Sequence, residues 1–207
     1  MRDNYKIELY RFINGEYPLK DFEKMIYSHD DLDSQIGSEN YLRLIGFDFK
    51  DNNSHNSLIE FLFDSIVTIA DFLTWKIREL LIDFIENPDH IKNLLDEFYC
   101  LTCDAYNSQG EIVKGFKFLQ NLGMNNFYWM DQGYLKTNYG KKWQIEYKKH
   151  QDEFEYYHEQ LKPIAAKVLE SIDSGKVKIN GQGDYEITDL LKTELESDQI
   201  FELEHKK

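Results

Sequence analysis

The sequence has few of the residues that cross-link or bend a chain. Its 207 residues include two cysteines and three prolines, so there is no disulfide framework and long stretches are free to form helix. A chain of this length can bury most of its apolar surface without disulfides or metal ions. We therefore expect a globular protein whose thiols stay reduced inside the cell.

Long apolar runs and targeting segments are also missing. The first twelve residues, MRDNYKIELYRF, lack the basic stretch and the apolar core of a signal peptide. The most apolar segment, residues 58–73, contains Glu60, Asp64 and Asp71, and an acid at membrane depth costs about 2.5–3.5 kcal/mol. We expect a cytoplasmic protein with no membrane partner.

The sequence lacks the motifs of common catalytic and cofactor sites. It contains no GxSxG, P-loop, GxGxxG or HExxH pattern. Cys100 and Cys103 have the spacing of a metal or redox pair, but no second pair of ligands accompanies them, so we interpret them as small buried residues on one helix face. Glu155 and His158 match half of a di-iron motif, and we expect them on a solvated helix face. The sequence predicts neither an enzyme nor a cofactor.

Positive charge is scarce. The 24 basic and 38 acidic side chains give a net charge of −14, and a field of this sign repels phosphate backbones and anionic lipids. Residues 1–104 have 21 acids and 10 bases, whereas residues 105–207 have 17 acids and 14 bases. We expect no nucleic-acid partner, and an electronegative face on the amino-terminal half that steers basic proteins toward it.

Helical spacing of apolar residues is the main pattern that is present. Apolar residues at intervals of three and four indicate helices with one buried face. These intervals recur in the segments 5–13, 19–29, 39–47, 57–85 and 90–106. The chain is therefore predicted to be mainly α, and Ser38 is the expected cap of the third of these helices.

Two segments leave more than one local structure open, and a third has a single predicted structure. Residues 57–85 suit either one bent helix or two helices joined near Asp71. Residues 125–140, rich in aromatic and turn residues, are expected to be irregular or to form one short helical turn. Residues 141–172 are predicted to form one long helix that Pro163 kinks.

The carboxyl-terminal part contains the only β pattern of the sequence. Two alternating runs within residues 177–187 flank a Gly-rich turn, which predicts a hairpin. We predict a single-domain, helical bundle-like array over residues 1–207 with a small β-hairpin near the C-terminus. A minor division near residue 136 would leave residues 137–207 as a long helix plus the hairpin.

Acidic side chains crowd the connections between the first predicted helices. A solvated surface explains any single cluster, whereas the combined charge of this half also suits the docking of a basic protein. The aromatic residues Tyr128, Trp129 and Tyr134 suit either anchors of such a contact or parts of the core. The candidate partner-binding residues are Asp30, Asp31, Asp33, Glu39, Asp48, Asp51, Tyr128 and Trp129.

Scaffold residues in roughly the first 125 positions resemble those of a known family. The segments YRFINGEYPLKDFEKMIYSHDDLDSQIGSENYLRLIGFDFKD, ADFLTWKIRELL and DEFYCLTCDAY are similar to bacterial immunity proteins encoded beside polymorphic or contact-dependent-inhibition toxins. The segment NSQGEIVKG departs from the family pattern. The positions that match the pattern are Phe22-Glu23, Tyr27, Tyr41-Leu42, Leu44-Ile45 and Asp48-Phe49.

The resemblance implies a protein that binds the carboxyl-terminal domain of a cognate toxin and blocks it. Toxins of this kind are often nucleases with basic surfaces, which an excess of acid on the immunity protein suits. Two other hypotheses stay open. One is a helical metal-binding enzyme with a carboxylate and histidine site, and the other is an acidic inhibitor that mimics DNA with a regular stripe of acids.

Overall fold

Helices predominate in the structure, a computed structural model. It describes residues 1–51, 53–106, 112–123 and 131–196. A mainly α fold with a small β-hairpin near the C-terminus is confirmed. The chain divides into two compact units, Met1–Lys76 and Ile77–Lys207. The single domain, and the minor division near residue 136, stay predictions.

The first unit is built from helices that follow the predicted apolar patterns. Gly15 and Gly37 have positive φ angles of 79° and 87°, which glycine adopts without strain, and they follow α1 and separate α3 from α4. The helices are α1 (Asp3–Ile13), α2 (Leu19–Ser28), α3 (Leu32–Ile36), α4 (Ser38–Ile45), α5 (Ser54–Ser65) and the beginning of α6 (Ile69–Glu86).

Two local predictions in this unit are decided by capping. The segment 57–85 forms two helices, which confirms that alternative, and they separate at residues 66–68, just before Asp71. The Thr68 hydroxyl accepts a hydrogen bond from the Asp71 backbone N–H at 3.0 Å, so Thr68 caps α6 and sets its start. The prediction that Ser38 caps α4 is wrong, because Ser38 is already helical and Gly37 precedes it.

The core of the first unit centres on stacked aromatic rings from α1 and α2. The rings of Phe12 and Phe22 lie 3.8 Å apart at 14°, and both side chains are fully buried. His55 of α5 packs edge-on against Phe12 at 5.3 Å, and Leu58 and Leu62 of the same helix are also buried. Rings of this size contribute several hundred square ångströms of buried apolar surface, which holds the short helices together.

The second unit combines longer helices with two small antiparallel sheets. Short 3₁₀ turns span Pro88–His90, Lys117–Leu119 and Gly140–Lys142. The other elements after α6 are α7 (Ile91–Thr102), β1 (Ala105–Tyr106), β2 (Ile112–Val113), α8 (Gln132–Tyr139), α9 (Trp143–Asp152), α10 (Phe154–Asp173), β3 (Val177–Gly181), β4 (Asp184–Ile187) and α11 (Asp189–Leu195).

The predicted long helix over residues 141–172 is wrong, because it is divided into α9 and α10 at Glu153. Residues 148–153 contain no apolar side chain, and helices in proteins are held mainly by packing of an apolar face. Nothing in this run therefore favours a straight helix. Pro163, the expected kink, lies inside α10.

The segment expected to be irregular contains a regular helix. Over its described part, α8 runs for eight residues rather than one turn. The Asp131 carboxylate accepts a hydrogen bond from the Tyr134 backbone N–H at 2.6 Å, so Asp131 caps α8. Ile112 and Val113 pair with Tyr106 and Ala105 in a two-stranded sheet that the sequence pattern did not predict.

The predicted carboxyl-terminal hairpin is formed by β3 and β4. Val177 pairs with Ile187 and Ile179 pairs with Tyr185, so the alternating apolar residues share one face. Gly183, at the turn, has a φ of 68°, and a Cβ atom at this position would collide with the backbone oxygen of Lys114. The hairpin is therefore held against the chain around β2.

Among the described residues, none of the helices combines the length and the apolar character needed to cross a membrane.

Candidate partner-binding surface

Asp31 has both an ion pair and a side-chain hydrogen bond with distant residues. Its carboxylate lies 3.0 Å from the Arg2 guanidinium and accepts a hydrogen bond from the Tyr5 hydroxyl. This hydrogen bond raises the pKa of Tyr5, since it holds the proton on the hydroxyl. Asp31 thus ties the α2–α3 connection to the start of α1, and Arg2 offsets its charge.

Three other candidate acids accept hydrogen bonds from residues next to them in the chain, Asp33 within α3 and Asp48 and Asp51 in the connection after α4. Asp33 accepts from the Ser34 backbone N–H at 2.6 Å, and Asp48 accepts from the Lys50 backbone N–H at 3.0 Å. Asp51 accepts from both the backbone and the side-chain nitrogen of Asn53, each at 2.9 Å. Short aspartate side chains commonly stabilise turns in this way. The positions of these carboxylates are set by their contacts with neighbouring residues of the chain.

Asp30 and Glu39 have the freest carboxylates of the set. Both residues are exposed, and neither has a hydrogen-bond or ion-pair partner within the described part of the chain. Asp30 lies in the connection between α2 and α3, and Glu39 lies in the first turn of α4. A cationic partner would meet these two charges without competing against an internal donor.

Exposed apolar side chains accompany these two acids. Tyr27, in the last turn of α2, is 55% exposed and lies three residues before Asp30. Leu42 is 65% exposed and lies one helical turn after Glu39 in α4. Large exposed apolar groups beside unpaired charges are typical of protein-binding surfaces. We call Tyr27, Asp30, Glu39 and Leu42 the acidic–apolar residues.

The sequence contains a signal for both exposed apolar residues. At 3.6 residues per turn, Leu42 lies about 200° around α4 from the buried Leu44, so it cannot share that buried face. Tyr27 likewise lies off the stripe formed by the buried Phe22 and Ile26 of α2. Sequence reasoning placed both among scaffold residues and so missed them.

The six candidate acids do not converge on one point. Glu39 lies in the first turn of α4, whereas Asp48 and Asp51 follow the end of this helix, and eight helical residues span about 12 Å. Throughout the described residues, no group of three or more His, Cys, Asp or Glu side chains is arranged to hold a metal ion.

The aromatic candidates are only partly described. Tyr128 and Trp129 lie outside the described residues, and Tyr134 is 39% exposed on α8.

The two cysteines differ from the expected buried pair. Neither cysteine forms a disulfide within the described residues; Cys100 is exposed and Cys103 is half-buried. Cys100 lies about 200° around α7 from the buried Phe98, which explains why the prediction of burial is wrong for it. Cys103 follows the helix, and its hydrogen bond with the Tyr99 side chain raises the pKa of Tyr99.

The prediction of a solvated face for Glu155 and His158 holds for only one of them. Glu155 is exposed, but His158 is 1% exposed. His158 shares the buried stripe of α10 with Leu161 and Ala165, three and seven residues later, and that spacing was available in the sequence. This histidine is a core residue of the second unit.

No known family model, curated protein or solved structure matches this chain. The resemblance to immunity proteins therefore stays an expectation based on the residues of the first half.

Proposed function

We propose that this protein acts by binding a basic protein through the acidic–apolar residues of its first unit. The observation that carries the proposal is that two unpaired, exposed carboxylates, Asp30 and Glu39, each stand three residues along the chain from an exposed apolar side chain, Tyr27 and Leu42 respectively. Carboxylates of this kind steer a cationic partner, and exposed apolar groups supply the contact area that holds it.

We further propose that the partner is the carboxyl-terminal domain of a toxin, most simply a nuclease, which the protein neutralises in the cytoplasm of the producing bacterium. The resemblance of the first 125 residues to immunity proteins supports this choice of partner. A nuclease binds phosphate with lysine and arginine side chains, and these would pair with the acids of the first unit.

Co-purification with the product of the adjacent upstream gene tests the proposal. Cells that express the toxin domain of that product should survive only when this protein is co-expressed. The double variant Asp30→Asn/Glu39→Gln should weaken the complex by roughly 3- to 10-fold, mainly through slower association at low salt. Leu42→Ser should weaken it by about tenfold through faster dissociation.

Matched controls separate the surface from a general loss of charge. Glu60→Gln/Asp64→Asn removes the same charge from exposed positions on α5, and Ile69→Ser removes an exposed apolar side chain from α6. Both variants should bind as the wild type does. A chain that neither binds nor protects would refute the function, whereas binding that the double variant leaves unchanged would refute the surface.

A further inference from the structure

The second unit contains a strongly basic segment within an acidic chain. Residues 132–149 include five lysines and one acid, Glu146. The segment folds as α8, the turn Gly140–Lys142 and α9. Its local charge is opposite to the net charge of −14, so this segment suits a different kind of partner from the rest of the chain.

One face of α9 lies against its own unit. Trp143, Glu146, Tyr147 and His150 recur at intervals of three and four, and all four are half-buried. The Lys92 ammonium lies 5.3 Å from the centre of the Tyr147 ring and donates to its hydroxyl at 2.7 Å. These contacts leave the aromatic face of α9 covered.

The Trp143 ring is covered in the same way. The Lys136 ammonium, from α8, lies 4.8 Å from its centre. A cation over the face of an indole is attracted by the ring quadrupole, which helps to hold α8 and α9 together. The rings of Tyr147 and Trp143 are therefore covered by Lys92 and Lys136 of the protein itself.

The opposite face of α9 presents an isoleucine surrounded by lysines. Ile145 is 59% exposed, and Lys141, Lys142, Lys148 and Lys149 stand four and three residues before it and three and four residues after it. Lys148 and Lys149 are therefore nearest neighbours of Ile145 on the surface of α9, whereas Lys141 and Lys142 lie in the 3₁₀ turn that leads into the helix. We call these four lysines the lysine ring.

Little of the lysine ring is neutralised by the protein itself. Lys149 pairs with Glu146 at 2.9 Å, and its side chain is 63% exposed. In the described residues, Lys141, Lys142 and Lys148 have no hydrogen-bond or ion-pair partner, and all three are exposed. Grouped like charges repel one another, so an anionic partner would relieve a cost that the free protein bears.

The helix that displays the ring is held by few core contacts. None of the residues of α9 is fully buried, and in α8 only Leu135 is. An isolated helix of ten residues is marginal in water. An apolar side chain and two lysines on such a helix, with two more lysines in the turn before it, are not accounted for by packing within the described unit.

We propose that the lysine ring and Ile145 form a docking site for an acidic protein segment, in which an apolar side chain is flanked by carboxylates. The carboxylates meet the ring, and the apolar side chain covers Ile145. This site lies in the second unit and extends the protein's role beyond the function proposed for the first.

The arrangement favours an acidic peptide over a nucleic acid. A phosphate backbone would pair with the lysines but would leave Ile145 uncovered, and Trp143 and Tyr147 are not free for bases to stack on. The net charge of −14 also repels a long polyanion more strongly than a short segment with few charges. An acidic peptide with an apolar side chain matches both the charge of the lysine ring and the apolar surface of Ile145.

A nuclear magnetic resonance titration of the ¹⁵N-labelled full chain tests this site. The probe is a synthetic peptide of two leucines with two glutamates on each side, added at low salt. We expect shifts at residues 141–149. Lys141→Gln/Lys142→Gln should weaken binding by about fivefold and Ile145→Ser by about fivefold, and added salt should weaken it further.

Matched variants and probes decide among the outcomes. Lys176→Gln/Lys178→Gln and Leu190→Ser change exposed residues elsewhere in the second unit and should leave binding unchanged. The proposal is overturned if the peptide shifts none of residues 141–149 at millimolar concentration, or if a peptide with serines in place of leucines binds equally well. Equal or tighter binding of a thymidine oligonucleotide with four phosphates would assign the ring to nucleic acid instead.

A second copy of the chain is the remaining occupant to test. In sedimentation experiments, the free protein should show no dimer that forms as its concentration rises and is lost in Ile145→Ser. Such a dimer would overturn the proposal in favour of self-association, because the acidic chain itself would then cover the ring.

Discussion

The Nε2 atom of His158 lies 2.5 Å from the backbone oxygen of Phe84 and so joins α10 to the last turn of α6. The final carbonyls of a helix have no partner within the helix, and this bond satisfies one of them. The Nε2 atom must carry the proton that it donates. The Nδ1 atom is buried and has no hydrogen-bond partner in the described chain, although an oxygen of Glu159 lies 3.5 Å from it.

Loss of this bond should destabilise the second unit. His158→Leu keeps an apolar side chain in place but leaves the Phe84 carbonyl buried without a donor, so we expect the free energy of unfolding to fall by about 1–3 kcal/mol. Urea denaturation followed by circular dichroism measures it. Glu159→Gln, at the adjacent exposed position, should change it by less than about 0.5 kcal/mol. Equal stability of His158→Leu and the wild type would contradict the assignment.

Neighbouring aspartates should differ in their effect on stability. Asp31→Asn weakens the ion pair with Arg2 and the hydrogen bond from the Tyr5 hydroxyl, so we expect a loss of about 1 kcal/mol. Asp30→Asn removes the same charge one residue earlier and should leave stability within about 0.5 kcal/mol of the wild type. Thermal unfolding of the two variants compares them, and equal melting temperatures would refute the structural role of Asp31.

The raised pKa of Tyr10 predicts a loss of stability at alkaline pH. Burial, with the charges of Asp71 and Asp3 as smaller causes, raises the pKa of Tyr10 from 10.0 to about 12. The folded state therefore holds this proton more tightly than the unfolded state. The resulting stability is fully present below pH 10 and is lost as the pH rises toward 12.

A hydroxyl-deletion series measures the Tyr10 effect. Urea midpoints between pH 8 and pH 12 should fall less steeply for Tyr10→Phe than for the wild type, while the two proteins differ little at pH 8. Tyr27→Phe removes a hydroxyl from an exposed ring and should follow the wild-type curve. If Tyr10→Phe shows the full wild-type slope, Tyr10 is not a source of the pH dependence.

The two glycines of the hairpin should respond differently to alanine. Gly183 has a φ of 68° and would place a Cβ against the Lys114 backbone oxygen, so Gly183→Ala should cost more than about 2 kcal/mol. Gly181 has open space around the corresponding position, and Gly181→Ala should cost less than about 1 kcal/mol. Denaturation midpoints of the two variants test this ranking, which equal midpoints would contradict.

Predictions from local spacing were accurate where one face of a helix or strand repeats over several turns. The apolar intervals in α1, α2, α6 and α7 located these helices, and the alternation of Val177 and Ile179 located the hairpin. Boundaries were less accurate, because single side chains set them. Thr68 and Asp131 cap helices through hydrogen bonds that apolar spacing does not show.

The candidate surface was predicted only at the level of composition. The excess of acid near the first helices is a property of the sequence, but the separate roles of Asp30 and Asp31 are not. They differ because Arg2 and Tyr5, distant in sequence, reach Asp31 and leave Asp30 exposed. The exposure of Leu42 could be predicted from its angular position on α4, whereas its proposed role depends on the unpaired Glu39 three residues earlier.

The sequence by itself determined the helical character, the carboxyl-terminal hairpin, the net charge and the basic run around Ile145, because these depend on composition and on neighbours within a few residues. The tertiary structure alone decided that His158 bonds to Phe84, 74 residues away, and that Asp31 is paired. Such contacts depend on which distant backbone and side-chain atoms the packed helices bring together, and local spacing does not contain that information.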